Sequence, residues 1–364
     1  MGDKPFPGFD RIWYYSFCTE TEIDRILNPQ TAKDELLRKR ADIVADHTRY
    51  YRIYRAKSQS DGYKSFEDSF DSAHYKNVLN RLSKDDTERC AEITYGDIFT
   101  DEVNGYASKD SKWGIFINLN TSLKFFTEFS NLALLFPDSV VPQYIKFNSL
   151  RIALRTMMNN ESLDFYLDPR GIIPADIAKS VFTPIKYELQ YIAGHEFSHF
   201  LCGHLKNEKT AQKAVLTLNG KSYLEPVYNV LQKHEFEADV QSVKRPLYAK
   251  NEKRNLVFGA ILWFKSLELS EFAQEICCPQ SPLAIKSHPS AVERLNYIRE
   301  NFPKEYRAFT KPIRQIDENL KILKDFLSED LSVNYDNYKV YGSAYLDKPN
   351  TKWRGKKLVD RVDY

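Results

Sequence analysis

His195 and His199 stand four residues apart, with Glu196 directly after the first of them, and no other feature constrains the fold as tightly. On an α-helix four residues turn through about 400°, which leaves the two imidazoles about 40° apart on one face and about 6 Å apart along the axis. Both rings can then reach one tetrahedral metal ion at about 2.0–2.1 Å. The flanking residues predict such a helix on separate grounds. Thr183 can cap it, Pro184 suits its first position, and Ile185, Leu189, Ile192 and Phe200 recur at helical intervals, carrying it to about His204.

Glu196 points beside the ion, where its carboxylate can take a proton from a water that the metal activates, the general base of a hydrolase. A catalytic ion needs three protein ligands and an open fourth position. His204 falls on the opposite face of a continuous helix and suits packing or hydrogen bonding. Cys202 faces the right way but lies about 10.5 Å along the axis from His195, beyond the reach of bonds of about 2.0–2.3 Å, and reads as a small buried thiol. Cys202 and Leu205 also stand where the longer metzincin motif needs Gly and His.

The next helical pattern, through Val227, Leu231 and Ala238, carries His234-Glu235-Phe236-Glu237-Ala238-Asp239. If Glu235 is the third ligand, Asp239 lies one turn later on the same face and can accept the free ring N–H of a ligand histidine. Glu237 is the alternative ligand, about 200° round the helix, with Gln241 in the place of Asp239. The plain alternative is that both glutamates are solvated surface acids. His234 suits the helix surface or the support of a ligand.

Composition sets the outer bounds. A chain of 364 residues can bury roughly three quarters of its unfolded surface. Its 52 Lys and Arg against 50 Asp and Glu give a charge of +2, which disfavours nucleic acid as a partner. Five cysteines, two of them adjacent at Cys277 and Cys278, argue against a disulfide framework and for a reducing compartment. The opening MGDKPFPGFDRIW lacks the basic-then-apolar run of a signal peptide, and no apolar stretch approaches the roughly 18 residues that span a bilayer. A cytoplasmic protein without a membrane span is expected.

Three regions are expected. Residues 1–90 form a helical region of unknown role, including a helix over 32–54. Residues 91–327 form the metal-binding domain, with a helix-containing insertion at 137–182. A C-terminal tail at 328–364 is irregular. Within the domain, ITYGDIF and WGIFINLN are short strand-like runs separated by a turn-prone segment at 107–112, which suggests a small antiparallel sheet. Further helices are expected over 119–136, over 256–272, after Pro289 and over 313–326.

HEFSH followed by HEFEAD resembles the gluzincin zinc metallopeptidases. It is most similar to the HtpX and CAAX prenyl protease group, whose ligand glutamate precedes an Ala-Asp pair by three residues, as Glu235 precedes Ala238-Asp239. Val103-Asn104-Gly105-Tyr106-Ala107 and then Gly114-Ile115-Phe116-Ile117 resemble two strands of that group. Ser287-His288-Pro289 with Glu293-Arg294-Leu295 resembles its later His-Pro and Arg motifs. The resemblance spans residues 93–300 and departs from the group in the missing membrane spans and the long 137–182 segment. HEFSHFLCGH is also compatible with the soluble Lit-type phage-exclusion peptidases.

The resemblance implies an α+β, mainly helical, zincin-like fold with a small antiparallel sheet beside the HExxH helix. It implies one Zn²⁺ per chain on His195, His199 and Glu235, with Glu196 as base and Asp239 orienting a ligand. A protein or peptide substrate would add as a strand to an exposed edge, 104–107 or 115–118. His288 would donate to the oxyanion, or serve only as a helix-entry residue, with Tyr191, Tyr228 and Tyr297 as other candidates for the donor. The expected activity is a zinc-dependent endopeptidase acting on a cytoplasmic protein, conditional in phage defence. The rival is a non-catalytic metal-binding regulatory or interaction protein on the same scaffold. Glu196 argues against that rival, because a structural zinc site has no use for a base.

Overall fold

Ser or Thr followed three positions later by an acid starts several helices in this chain: Thr19 with Glu22, Thr31 with Asp34, and Ser290 with Glu293 form reciprocal capping boxes. The computed structural model describes residues 10–99, 104–159, 165, 170–206, 224–277, 289–339, 344–346 and 352–353. Its first part holds α1 (Glu20–Leu27), α2 (Ala32–Asp46), α3 (Thr48–Ser58), α4 (Ala73–Leu79) and α5 (Lys84–Arg89). The expected helix over 32–54 is thus two helices, parted where His47 is extended at φ −110 and ψ 114. Phe17, Tyr54, Phe66 and Phe99 form a cluster of their own here.

Three short strands follow: β1 (Thr94–Tyr95), β2 (Gly105–Asp110) and β3 (Gly114–Leu119), in the order β1-β3-β2. The fold is α+β and mainly helical as expected, but the sheet is mixed. The two runs expected to pair antiparallel, around Thr94 and Phe116, pair parallel, and the antiparallel partner of β3 is β2. The segment read as a turn is mostly strand. Asp110 explains it, because its side chain accepts from the backbone N–H of Lys112 at 2.7 Å and Trp113 at 2.9 Å. The reversal is thereby confined to the residues just after it.

The helices that follow are α6 (Leu123–Leu134), α7 (Gln143–Asn159), α8 (Ala175–Leu201), α9 (Leu224–Lys244), α10 (Lys250–Cys277), α11 (Ala291–Asn301), α12 (Pro303–Arg307) and α13 (Thr310–Lys339). α8 does not begin at Thr183; it starts at Ala175 and runs through Pro184. An interior proline costs about 3 kcal/mol. Ile177 and Val181, buried on the stripe that continues to Ile185, each return about 1.5–3 kcal/mol, so the longer helix wins. It ends at Leu201, short of His204, because Gly203 takes φ +81 and turns the chain.

α8 lies at the centre, packed against α4, α6, α9, α10, β2 and β3. A Cβ on Gly194 would lie 3.3 Å from Cβ of Ser242 on α9, so the absence of a side chain there lets α9 come close beside the two histidines. Tyr191, Ile192 and Phe197 enter the main core with Phe126, Trp263 and Phe264. The chain beyond 328 is not irregular from its start: α13 continues to Lys339, bent at Asn334 (φ −117, ψ 21). Leu331 and Tyr338 extend the buried stripe of Leu320, Leu323 and Leu327, and the Tyr338 hydroxyl donates to Asp330. No helix among the described residues is long and apolar enough to cross a membrane. Cys18, Cys90 and Cys202 are free thiols.

Candidate metal centre

The turn of α8 that carries His195 and His199 faces the part of α9 that carries Glu235 and Asp239. The Nε2 atoms of the two histidines are 2.9 Å apart. Glu235 places Oε2 at 3.4 Å from Nε2 of His195 and Oε1 at 3.3 Å from Nε2 of His199. A tetrahedral ion with bonds of about 2.0–2.1 Å sets its ligand atoms about 3.3 Å apart, so the carboxylate already stands at ligand spacing from both rings. These three side chains could hold a metal ion.

The outer nitrogens fix the tautomers, which are inferred here from their partners. Nδ1 of His195 lies 2.9 Å from Asp239 Oδ1, so it carries hydrogen and donates. Nε2 of His204 faces Glu237 Oε2 at 3.2 Å and donates to it, which leaves its Nδ1 to accept from Nδ1 of His199 at 3.0 Å. With both rings neutral, His195 and His199 turn two lone pairs toward each other, and a cation between them and Glu235 would match those lone pairs.

The charge balance also suits a cation there. Glu196, Glu235 and Asp239 are all buried, and Arg294 of α11 brings one positive charge to the three carboxylates. With neutral histidines and all three carboxylates ionised, two negative charges would be in excess, and burying them unmatched is costly. Burial alone pushes the His195 imidazole down, yet its bonds to Asp239 and Glu235 outweigh this and raise it to about 10. Burial raises the Glu196 carboxyl above its usual range, against the pull of both histidines. Asp239 is also pushed up by burial, but Arg294 and His195 hold it below the ordinary carboxylate range.

No family model, curated protein or solved structure matches this chain.

Glu196 sits beside the ligands against the first residue of β2: a Cβ on Gly105 would lie 3.1 Å from both Cγ and Oε1 of Glu196 and 3.0 Å from Ile192 Cγ2. Among the described strands β2 lies at the edge of the sheet. The open alternatives separate by exposure, since Glu235 is buried while the Glu237 side chain is 51% exposed and pairs with His204. His288 lies outside the described residues, as does the side chain of Tyr228. Tyr191 is buried and donates to Asp239 at 2.8 Å. Tyr297 packs on Phe236 with ring centroids 4.9 Å apart.

Two residues take places here that the sequence does not predict, although His204 does make the hydrogen bonds expected of it. Arg294, seen there only as part of a motif, grips Asp239 and lies 3.4 Å from Glu235 Oε2. His204 was set on the far face of a continuous helix, but the helix stops and the chain turns it back onto His199. Gly203 was the available signal, since glycine just past the last helical residue commonly ends a helix.

Proposed function

We propose that this chain is a zinc-dependent endopeptidase with a zincin-like fold, akin to the HtpX and CAAX prenyl protease group. The observation that carries this reading is the convergence of His195 Nε2, His199 Nε2 and Glu235 on one point, with buried Glu196 beside it. Two imidazoles and one carboxylate suit zinc, and three protein ligands leave a position open for chemistry. When bound, zinc supplies Lewis acidity to a water and to a peptide carbonyl.

The chain's own residues do the rest. Asp239, held by Arg294 and Tyr191, fixes the ring of His195. Glu196 accepts the proton of the attacking water and returns it to the leaving nitrogen, a role that suits a carboxyl raised above its usual range by burial. The edge of β2, which no other described strand covers, gives an extended peptide a main-chain partner whose first residue lies against Glu196. A protein or peptide substrate in the cytoplasm fits this arrangement, and conditional action in phage defence is its narrower form.

The test compares the purified chain with Glu196→Gln, by metal analysis and by a search for new peptide termini in cells that express each form. One zinc per chain in both, with new termini only in the unaltered form, is expected. Equal termini in both remove Glu196 from the mechanism. Zinc in both with no new termini in either favours the non-catalytic rival.

A further inference from the structure

His199 has a support of its own, separate from the one that holds His195. α8 ends at Leu201, Gly203 turns the chain, and the short 3₁₀ turn His204–Lys206 brings His204 back over the site. Its ring is buried, stacked on His234 with centroids 4.0 Å apart and planes 9° apart. Its two nitrogens are both engaged: Nδ1 lies 3.0 Å from Nδ1 of His199, and Nε2 lies 3.2 Å from Oε2 of Glu237.

The same neighbourhood could be read as a second metal site, because donor atoms of Cys202, His204 and Glu237 all lie within 4.8 Å of one another. The hydrogens decide between the two readings. Once His199 gives its Nε2 lone pair to the first ion, its single N–H is on Nδ1 and must donate to His204 Nδ1. Neutral His204 then carries hydrogen on Nε2 and donates it to Glu237, so every contact pairs a donor with an acceptor. An ion on Cys202, His204 and Glu237 would claim the Nε2 lone pair of His204. The bond to His199 would then reverse, and His199 would be left with lone pairs on both nitrogens and no hydrogen.

We propose that His204 and Glu237 are positioning residues for the ligand His199: His204 fixes its tautomer and ring plane, and Glu237 fixes those of His204. This inference rests on the reading of His195, His199 and Glu235 as a metal site. The two ligand histidines are then supported unequally. His195 leans on a carboxylate sealed in the protein with Arg294, whereas the support of His199 ends on a carboxylate that water reaches.

The experiment titrates the metal-free full chain with Zn²⁺ against a chromophoric chelator, counts bound ions by mass spectrometry, and records the visible spectrum of the Co²⁺ form. The variants are His204→Phe, which keeps a ring to stack on His234 but no nitrogen; His204→Asn, whose Oδ1 can replace the Nδ1 acceptor; and Glu237→Ala. One ion per chain is expected for the unaltered protein. His204→Phe should bind it about 10–100-fold more weakly with a shifted Co²⁺ spectrum, His204→Asn should recover part of the loss, and Glu237→Ala should show a smaller loss in the same direction. Glu237→Ala alters an exposed side chain and keeps the test decisive if His204→Phe does not fold. Melting of the metal-free forms separates lost support from lost fold. Unchanged affinity in both His204→Phe and Glu237→Ala overturns the proposal. So do two ions per chain, with the second lost in Cys202→Ser. An unaltered chain that binds no ion overturns the metal reading itself and the proposal with it.

Discussion

Arg294 binds both oxygens of Asp239, Nη2 to Oδ1 at 2.6 Å and Nε to Oδ2 at 2.7 Å, at a place where the carboxylate has no solvent exposure. This paired geometry suits the planar guanidinium fork and not a lysine ammonium. The pair joins α11 to α9 at the point where α9 supports His195.

Breaking the pair leaves Asp239 charged and buried beside one remaining hydroxyl and one imidazole. Arg294→Met should therefore destabilise the fold by about 3–5 kcal/mol, read from urea unfolding midpoints. Arg294→Lys should recover only part of this. A Met variant as stable as the parent would show that the pair does not hold α11 in place.

Glu235→Ala should lower zinc occupancy far more than Glu237→Ala, measured by metal analysis after equilibrium dialysis. The first removes a carboxylate at ligand distance from both Nε2 atoms, the second a half-exposed group that reaches the ion only through two rings. The reverse ranking would move the ligand to Glu237.

Glu188 gives the stability a dependence on pH that has nothing to do with the metal. It is fully buried on α8, and burial raises its carboxyl to about 8, offset only in part by the bond from Asn131 Nδ2 at 2.6 Å. Its Oε2 and the Oδ1 of Asn131 find no hydrogen-bond partner among the described residues. The folded form thus prefers the protonated acid. Its stabilising effect is complete below the unfolded value of about 4.3 and is lost as pH rises toward 8. Glu188→Gln keeps the shape without the charge, so melting temperatures at pH 5 and pH 8.5 should fall less in the variant than in the parent. Equal falls would place the pH dependence elsewhere.

Gly105→Ala would press a methyl group onto Glu196 and Ile192 at 3.0–3.1 Å. On the proposed reading, peptide hydrolysis should drop several-fold while zinc content stays the same. A fall in zinc content instead would mean that this contact supports the ligands and not the base.

The turn that carries His195 and His199 was legible in the sequence because four-residue spacing and helix geometry leave little choice, and one more turn of the same arithmetic placed Glu235 and Asp239 on one face, where they meet the two rings. What escaped the reading depends on tertiary contacts. Pro184 marks a helix start in isolation but is overridden by the buried Ile177 and Val181. The parallel pairing of β1 with β3 has no local signature, since each run is strand-like with either partner. Arg294 reaches the site from 55 residues beyond Asp239, across separations that periodicity does not address. His204 was misplaced because helix phase was extended across Gly203, where the backbone changes hand.

The edge position of β2, with its first residue against Glu196, bears on what the proposed enzyme would accept. A target that adds itself to this edge presents its amide groups, which are the same in every sequence, and it must be locally unfolded to do so. Discrimination would then follow how readily a stretch of the target comes loose, and a short consensus among cleaved sites would be hard to find.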